Sequence, residues 1–264
     1  MKMSRDGAGD KGDMAYGQDN LSHEKVPMAG AMEIDRPDCG LNFEVARTLD
    51  DVIEAWSLVY TSYRRKKLIP PNRQRIHTTS YATGRQAIVF IGRIGPMAVT
   101  TMTGILDSPA RLPLDRVYPE ELAAIRDKGR LMMEVSLFAD RRENLARSSG
   151  ALLQLMRYAW CWGIHEGVTY FMIGVHPRHA RFYSRAFGFE PAGPEKCYAA
   201  VNDHPVVLLR GEPDIQLAKP SIARGLQYFV ENPVPVAAFE GRYEFPAQEL
   251  STSLLEDFLG DLHV

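Results

Sequence analysis

An acidic residue, Glu134, lies inside an otherwise apolar run. Six of the eight residues in 131–138 are apolar, and a run of that length and composition favours a buried strand. A carboxyl group in such a strand loses hydration, which raises its pKa and makes it a candidate general base. The alternative is a structural ion pair with Arg126 or Arg130.

A second strand and a short helix carry further titratable groups. We expect a strand over 169–175 and a helix over Pro177–Phe187. Tyr183 in that helix could protonate a leaving thiolate, or its ring could pack in the core. His176 and His179 could transfer a proton or bind an acceptor carboxylate, or they could form hydrogen bonds at the helix start. Because this histidine pair lacks an acidic third ligand nearby, we predict no metal site.

A buried base combined with a tyrosine acid indicates acyl transfer to an amine. The base would free the amine for attack, and the acid would protonate the leaving group. These groups need a scaffold, which the periodicity of the chain predicts. The expected elements are a helix from Thr48, with Asp51 as its capping partner, a hairpin over 86–91 and 97–106, a helix over 119–128, strands over 131–139 and 169–175, the helix over Pro177–Phe187, and a hairpin over 197–201 and 206–210.

The strand–helix–strand order predicts a parallel pair within a mixed central sheet flanked by helices, an α/β (α+β) fold. Residues 1–40 lack periodicity and are predicted to be disordered. We expect one catalytic domain over 41–211, followed by an extension over 212–264 whose role the sequence does not assign. That extension includes amphipathic fragments at 222–230 and 254–262.

The net charge, the cysteine spacing and the length of the apolar runs argue against several classes of function. A net charge of -2 argues against nucleic acid as a partner. Cys39, Cys161 and Cys197 match neither a disulfide framework nor a zinc spacing, which favours reduced thiols and a cytoplasmic location. No apolar run reaches the length of about 20 residues that a transmembrane segment needs, and the N-terminus lacks the apolar region of a signal peptide.

The strand–helix–strand order, followed by Phe182, Tyr183, Gly188 and Phe189, resembles the core of the GNAT-type acyltransferases. Further positions make the chain similar to the FeeM-type long-chain N-acyl amino acid synthases, relatives of the acyl-homoserine lactone autoinducer synthases. The resemblance covers residues 43–210 and implies a GNAT-like fold with splayed central strands. The positions that carry it are Asp107, 112–115, Tyr118, Glu121, Leu122, Arg126, Gly129, Arg130, 134–136 and 176–179.

The resemblance implies that a long-chain acyl group passes from acyl carrier protein to the amine of an amino acid. Glu134 and Ser136 match the Glu-x-Ser motif of the autoinducer synthases, and Tyr183 matches the tyrosine acid of related acyltransferases. Arg130 and Asp107 look like motif positions that bind the acceptor carboxylate and amine, although both could instead fix the loop geometry. No bound cofactor is implied, and the donor is a phosphopantetheine thioester.

The sequence departs from users of coenzyme A at the start of the central helix. Arg147 and Gly150 fit the Arg-x-x-Gly-x-Gly/Ala pattern that holds a pyrophosphate, but Leu152 replaces its last small residue. An acyl carrier protein presents a single phosphate and tolerates such an incomplete site. We therefore expect Arg141, Arg142, Arg147 and Gly150 to bind the phosphopantetheine or its acidic carrier. A second basic cluster lies at 64–67.

A long acyl chain also needs an apolar slot, for which Trp56, Tyr60, Tyr63, Met97, Met102, Met132, Met133 and Phe138 are candidates, or else simply core residues. Three alternatives to this function stay open. They are acyl-homoserine lactone synthesis, N-acetylation from acetyl-coenzyme A, and a non-catalytic module that binds acyl carrier protein or lipid.

Overall fold

The computed structural model describes residues 41–142, 145–219 and 223–245, and for 145–149 it describes the backbone only. The predicted disordered segment 1–40 lies outside these ranges. Among the helices of the described ranges, none combines the length and the apolarity that a membrane crossing demands.

In the described ranges, eight strands form a central sheet in the order β1-β2-β3-β4-β5-β8-β6, with β7 paired to β8. All neighbours are antiparallel except β4 and β5, which are parallel as the strand–helix–strand order predicts. The strands are β1 (Asn42–Val45), β2 (Ala87–Ile94), β3 (Met97–Leu106), β4 (Met132–Asp140), β5 (Tyr170–Val175), β6 (Glu190–Pro191), β7 (Lys196–Tyr198) and β8 (His204–Gly211).

Helices cover the sheet, which confirms the predicted mixed α/β architecture. They are α1 (Leu49–Arg65), α2 (Pro119–Arg126), α3 (Leu145–His165), α4 (Pro177–Phe187), α5 (Pro213–Ala218) and α6 (Arg224–Glu231), with short 3₁₀ turns at Ser80–Thr83, Pro113–Arg116, Ala199–Val201 and Val236–Phe239.

Helix α1 begins as its sequence predicts. Thr48 accepts a hydrogen bond from the Asp51 N–H at 3.1 Å, and the Asp51 carboxylate accepts one from the Thr48 N–H at 3.0 Å. This capping box stabilises a helix start by about 1 kcal/mol. The apolar stripe of α1, including Val52, Trp56 and Val59, then packs on one face of the sheet.

Strands β4 and β5 pair over a short distance and then part. Their paired residues are Met132 with Tyr170, Met133 with Phe171, and Glu134 with Met172. β4 continues to Asp140 and β5 continues to Val175 beyond the last of these pairs. The central strands are therefore splayed, as the resemblance implies, and the cleft between them begins at Glu134.

A bulge in β4 lies just beyond this point. Leu137 has a φ of 52°, and the pairing between β3 and β4 shifts register between Thr101 and Thr103. A bulge inserts an extra residue and so reverses the alternation of faces. Met132 before the bulge and Leu137 after it consequently belong to the same core cluster.

The chain beyond β8 continues to pack on this core. The Phe245 ring stacks on Trp56 with ring centroids 5.5 Å apart, and the Phe229 ring stacks on Phe187 at 5.8 Å. Phe239 meets Phe90 edge-to-face. These aromatic contacts lie on both faces of the sheet, so the described part of the C-terminal extension packs as part of the core.

Candidate active site

Glu134 lies where the pairing of β4 with β5 ends. Its side chain is only 3% exposed and shares the face of the strand with Met132 and Ser136, since side chains alternate along a strand. Its Oε2 atom accepts a hydrogen bond from the Leu114 N–H at 2.9 Å. Glu134 is thus deeply buried and lies at the point where the cleft begins.

Burial raises the pKa of Glu134 to about 8, and the nearby negative charge of Asp115 acts in the same direction. The Leu114 N–H and the Ser136 hydroxyl lower the pKa in part, because they stabilise the ionised form. A carboxyl group with such a pKa can accept a proton from an ammonium near neutral pH.

The ion-pair alternative for Glu134 does not match the geometry. Arg126 is bound by Asp107, with Nε to Oδ2 at 2.5 Å, and by Asp115, with Nη2 to Oδ2 at 2.5 Å. The Arg130 guanidinium lies over the Tyr170 ring, 5.8 Å from its centroid. Within the described ranges neither arginine neutralises Glu134.

The Asp107–Arg126–Asp115 triad fixes the segment that supplies the Leu114 N–H. Asp115 also accepts a hydrogen bond from the Leu112 N–H at 2.8 Å, which closes the 3₁₀ turn around Leu114. The two carboxylates raise the pKa of Arg126. This arrangement supports the loop-fixing alternative for Asp107, and amine binding by Asp107 stays a prediction.

Strand β5 packs closely against Leu114 near Glu134. Gly174 lies two residues beyond Met172 in β5, on the face that Glu134 shares, and it is exposed although the strand around it is buried. A Cβ atom at this position would stand 2.6 Å from Leu114 Cδ2. The absence of a side chain at Gly174 therefore leaves room for Leu114 to pack closely against β5.

Tyrosine side chains surround the same region. Tyr183 on α4 is half-buried, its ring 6.0 Å from that of Phe187, and burial raises its pKa to about 12. Burial also raises the pKa of Tyr63 in α1, and the neighbouring Tyr183 and Glu134 raise it further. Tyr198 in β7 shows a raised pKa for the same main reason, burial, with a further contribution from Glu134.

The sequence did not identify Tyr63 and Tyr198 as chemical groups. Tyr63 recurs at helical spacing with Val59 and Tyr60, which is typical of a core residue, so only its position in three dimensions distinguishes it.

The predicted acyl slot is divided by the sheet, because Met132 and Met133 are consecutive strand residues and point to opposite faces.

Both predicted histidines lie at the start of α4. His176 is its N-cap, and Nδ1 accepts a hydrogen bond from the Arg178 N–H at 3.3 Å. His179 Nε2 accepts from Arg178 Nε at 3.1 Å. Burial, followed by the charge of Arg178, lowers the pKa of both, to about 4 for His179. This geometry fits the helix-start alternative, and their roles in proton transfer or acceptor binding stay predictions.

The predicted donor-binding residues that the structure describes lie in different environments. Arg142 forms an ion pair with the buried Asp140, Nη2 to Oδ2 at 2.8 Å, whereas Arg141 is exposed and donates to Met97 Sδ at 3.0 Å. Gly150 is half-buried in α3, and the side chain of Arg147 lies outside the described residues. Arg130 is exposed, and Ser136 Oγ is buried beside the Glu134 carboxyl group, whose pKa it lowers.

In the described ranges, no group of three or more His, Cys, Asp or Glu residues is placed to hold a metal ion.

The scaffold and sequence match known acyltransferases. The solved structure of FeeM, an N-acyl amino acid synthase from uncultured soil microbes, is 22% identical and matches with a TM-score of 0.60 over 71% of this chain and 97% of that chain. TofI, solved in a ternary complex with an inhibitor and MTA, matches at 14% identity and a TM-score of 0.52 over 71% of this chain and 96% of that chain. The AHL synthase LasI matches at 15% identity and a TM-score of 0.50 over 65% of this chain and 88% of that chain.

These structural likenesses establish a common fold. A search of curated protein sequences finds no match. The family model described as N-acyl amino acid synthase FeeM matches residues 54–212, a range that contains β4, β5 and the parting of the strands. Because that match spans more than half of the chain, the protein belongs to the FeeM N-acyl amino acid synthase family and is an N-acyltransferase.

Proposed function

We propose that this protein transfers a long-chain acyl group from the phosphopantetheine thioester of acyl carrier protein to the amine of an amino acid. The observation that carries the proposal is Glu134, a buried carboxyl group at the mouth of the cleft between β4 and β5. Its burial raises its pKa to about 8, the range that removal of an ammonium proton requires.

The acceptor amine binds beside Gly174, and Glu134 takes its proton directly or through a water molecule. The freed amine attacks the thioester carbonyl carbon. Beyond the last pair with β5, the backbone N–H groups of β4 on that side have no strand partner among the described residues. N–H groups at such a position can stabilise the oxyanion that forms on the thioester oxygen.

The thiolate leaves when the carbon–sulfur bond breaks, and Tyr183 supplies its proton. A tyrosine with a pKa of about 12 is fully protonated at neutral pH and can donate to a thiolate held close to it. The nitrogen loses its second proton as the amide forms, and that proton restores Tyr183. The proton that Glu134 took from the ammonium is released to solvent, so the amide, the free thiol and one proton complete the balance.

Two observations favour acyl carrier protein over coenzyme A as donor. Leu152 is 7% exposed in the second turn of α3, where the pattern for pyrophosphate binding has a small residue. Basic residues also lie near the end of β4: burial and the charges of Arg65 and Arg178 lower the pKa of Lys66, and the charge of Asp140 at the end of β4 acts in the opposite direction. An acidic carrier would be attracted to them.

Charge reversal tests the docking of the carrier. Arg141 follows the end of β4 and is exposed, so Arg141→Glu should raise the KM for acyl carrier protein about tenfold with little change in kcat. Lys128→Glu is the matched control, because Lys128 is exposed and precedes the start of β4, which is roughly 30 Å from its end. Equal KM values for both variants would contradict docking at this end.

Mass spectrometry of lipid extracts tests the function itself. Cells that overproduce the protein should accumulate an N-acyl amino acid, and cells with the Glu134→Gln variant should not. An N-acyl-homoserine lactone would instead identify an autoinducer synthase, and an N-acetylated product would identify a short-chain acetyltransferase. Extracts identical for the two proteins would refute the proposal.

A further inference from the structure

Arg126 is a largely buried cation that the steps above do not use. Its Nε and Nη2 atoms donate to the two carboxylate oxygens of Asp107 at 2.5 and 2.8 Å. Its Nη1 and Nη2 atoms donate to the two oxygens of Asp115 at 2.6 and 2.5 Å. Bidentate hydrogen bonds between charged groups are strong and fix direction as well as distance. Arg126 therefore holds the Asp115 carboxylate in one orientation.

A short series of hydrogen bonds leads from Arg126 to Glu134. The Asp115 carboxylate accepts a hydrogen bond from the Leu112 N–H at 2.8 Å, and the Asp115 N–H donates to the Leu112 carbonyl at 3.0 Å. These two bonds close the 3₁₀ turn. Leu114 lies inside this turn and donates its N–H to Glu134 Oε2 at 2.9 Å. The position of that N–H therefore depends on the carboxylate that Arg126 holds.

Two effects of Arg126 on Glu134 act in the same direction. The Leu114 N–H stabilises the ionised form of Glu134, whereas the negative charge of Asp115 disfavours it. Arg126 orients the N–H and offsets the charge, because two opposite charges in contact exert little net field on a third group. Both effects favour an ionised base.

The other titratable groups around Glu134 are neutral near pH 8. Ser136 follows on the same face of β4 and lowers the pKa of Glu134. Tyr63 of α1 and Tyr198 of β7 interact with the carboxyl group, and burial raises their pKa values above the ordinary 10. The residues paired with Glu134 in β3 and β5 are uncharged. Asp115 is thus the charged group of the described residues that acts on Glu134.

We propose that Arg126 is a positioning residue for the general base: it holds Asp115, and so orients the Leu114 N–H toward Glu134 and offsets the negative charge beside that carboxyl group. Arg126 acts through Asp115 and the turn, and not by contact with Glu134. Without Arg126, the base would release its proton only at a higher pH, and a smaller fraction of the enzyme would be active at neutral pH. This inference rests on the function proposed above, because it requires Glu134 to be the base.

Titration of Glu134 by NMR tests the inference without the acyl-transfer reaction. In protein labelled with ¹³C at the glutamate carboxyl carbons, the Glu134 signal is identified by its absence from Glu134→Gln. Its midpoint should lie at about pH 8 in the wild type. Arg126→Gln should raise the midpoint by about one pH unit, and Asp115→Asn, which removes the charge that Arg126 offsets, should lower it by about one unit. A purely structural role would not produce shifts of opposite sign.

Lys128→Gln and Asp127→Asn are the matched controls, since each removes one charge from an exposed residue close to Arg126. Solvent screens such charges, so these midpoints should stay within about 0.3 pH units of the wild type. Midpoints of Arg126→Gln and Asp115→Asn that equal the wild type, or that shift in the same direction, would overturn the inference. Failure of the wild type to transfer an acyl group, with midpoints as expected, would instead refute the proposed function and leave the effect of Arg126 on Glu134 in place.

Discussion

Replacing Glu134 by Gln should stabilise the fold while it abolishes turnover. The amide of Gln has nearly the shape of the carboxyl group, and its oxygen can accept the hydrogen bond that the Leu114 N–H donates to Glu134. The substitution removes only the ability to ionise. The cost of holding an ionisable group in a buried site can therefore be measured directly.

The magnitude follows from proton linkage. The pKa of Glu134 is about 8 in the folded protein, against 4.5 for the ordinary side chain. Because the folded state holds the proton more tightly, the stability that this group contributes is present below pH 4.5 and is lost as the pH rises toward 8. The loss approaches about 1.4 kcal/mol for each pH unit well inside that window and is smaller near its two ends, which gives about 3 kcal/mol between pH 5 and pH 8.

Urea unfolding at pH 5 and pH 8, followed by tryptophan fluorescence, measures this effect. The free energy of unfolding of Glu134→Gln relative to the wild type should increase by about 3 kcal/mol between the two pH values. Glu120→Gln is the control, since Glu120 is exposed and its substitution should leave the pH dependence unchanged. If Glu134→Gln and the wild type show the same pH dependence, the carboxyl group titrates normally and the proposed base is wrong.

Three further substitutions test the scaffold of the site. Gly174→Ala places a Cβ atom 2.6 Å from Leu114 Cδ2, so acyl transfer should fall about tenfold while the fold is retained, and an unchanged rate would show that the cleft beside Gly174 is not used. Arg126→Met leaves two largely buried carboxylates unpaired and should lower the free energy of unfolding by about 2–3 kcal/mol, whereas a loss below about 0.5 kcal/mol would show that the triad contributes little. Phe245→Ala removes the ring that stacks on Trp56 and should cost about 3 kcal/mol in urea unfolding, and a negligible cost would show that this part of the extension does not belong to the core.

The helices whose first residues carry capping or proline signals were predictable from the sequence. Thr48 with Asp51 predicted the start of α1, and Pro119 and Pro177 predicted the starts of α2 and α4, because capping and proline chemistry act within one turn. Strands β1 and β6 were not predicted, since they contain four and two residues and depend on partners far along the chain.

The site itself was predictable only in part. The burial of Glu134 was predictable because it lies in an apolar run, where a carboxylate is costly wherever the chain folds. Its partner Leu114 was not, because a backbone N–H carries no sequence signal and the contact spans 20 residues. The basic pair Arg141 and Arg142 looked like one cluster, yet the ion pair of Arg142 with Asp140 separates their environments.

The most direct test of the central claim is the pH dependence of the single-turnover rate constant, measured with saturating acyl carrier protein thioester and amino acid. In the wild type this rate constant should rise about tenfold per pH unit below pH 8 and level off above it, since Glu134 must be ionised and its pKa is about 8. Glu134→Gln should be at least about 100-fold slower and should lose this dependence. A Glu134→Gln variant that transfers the acyl group at the wild-type rate, with the same pH dependence, would show that another group frees the amine.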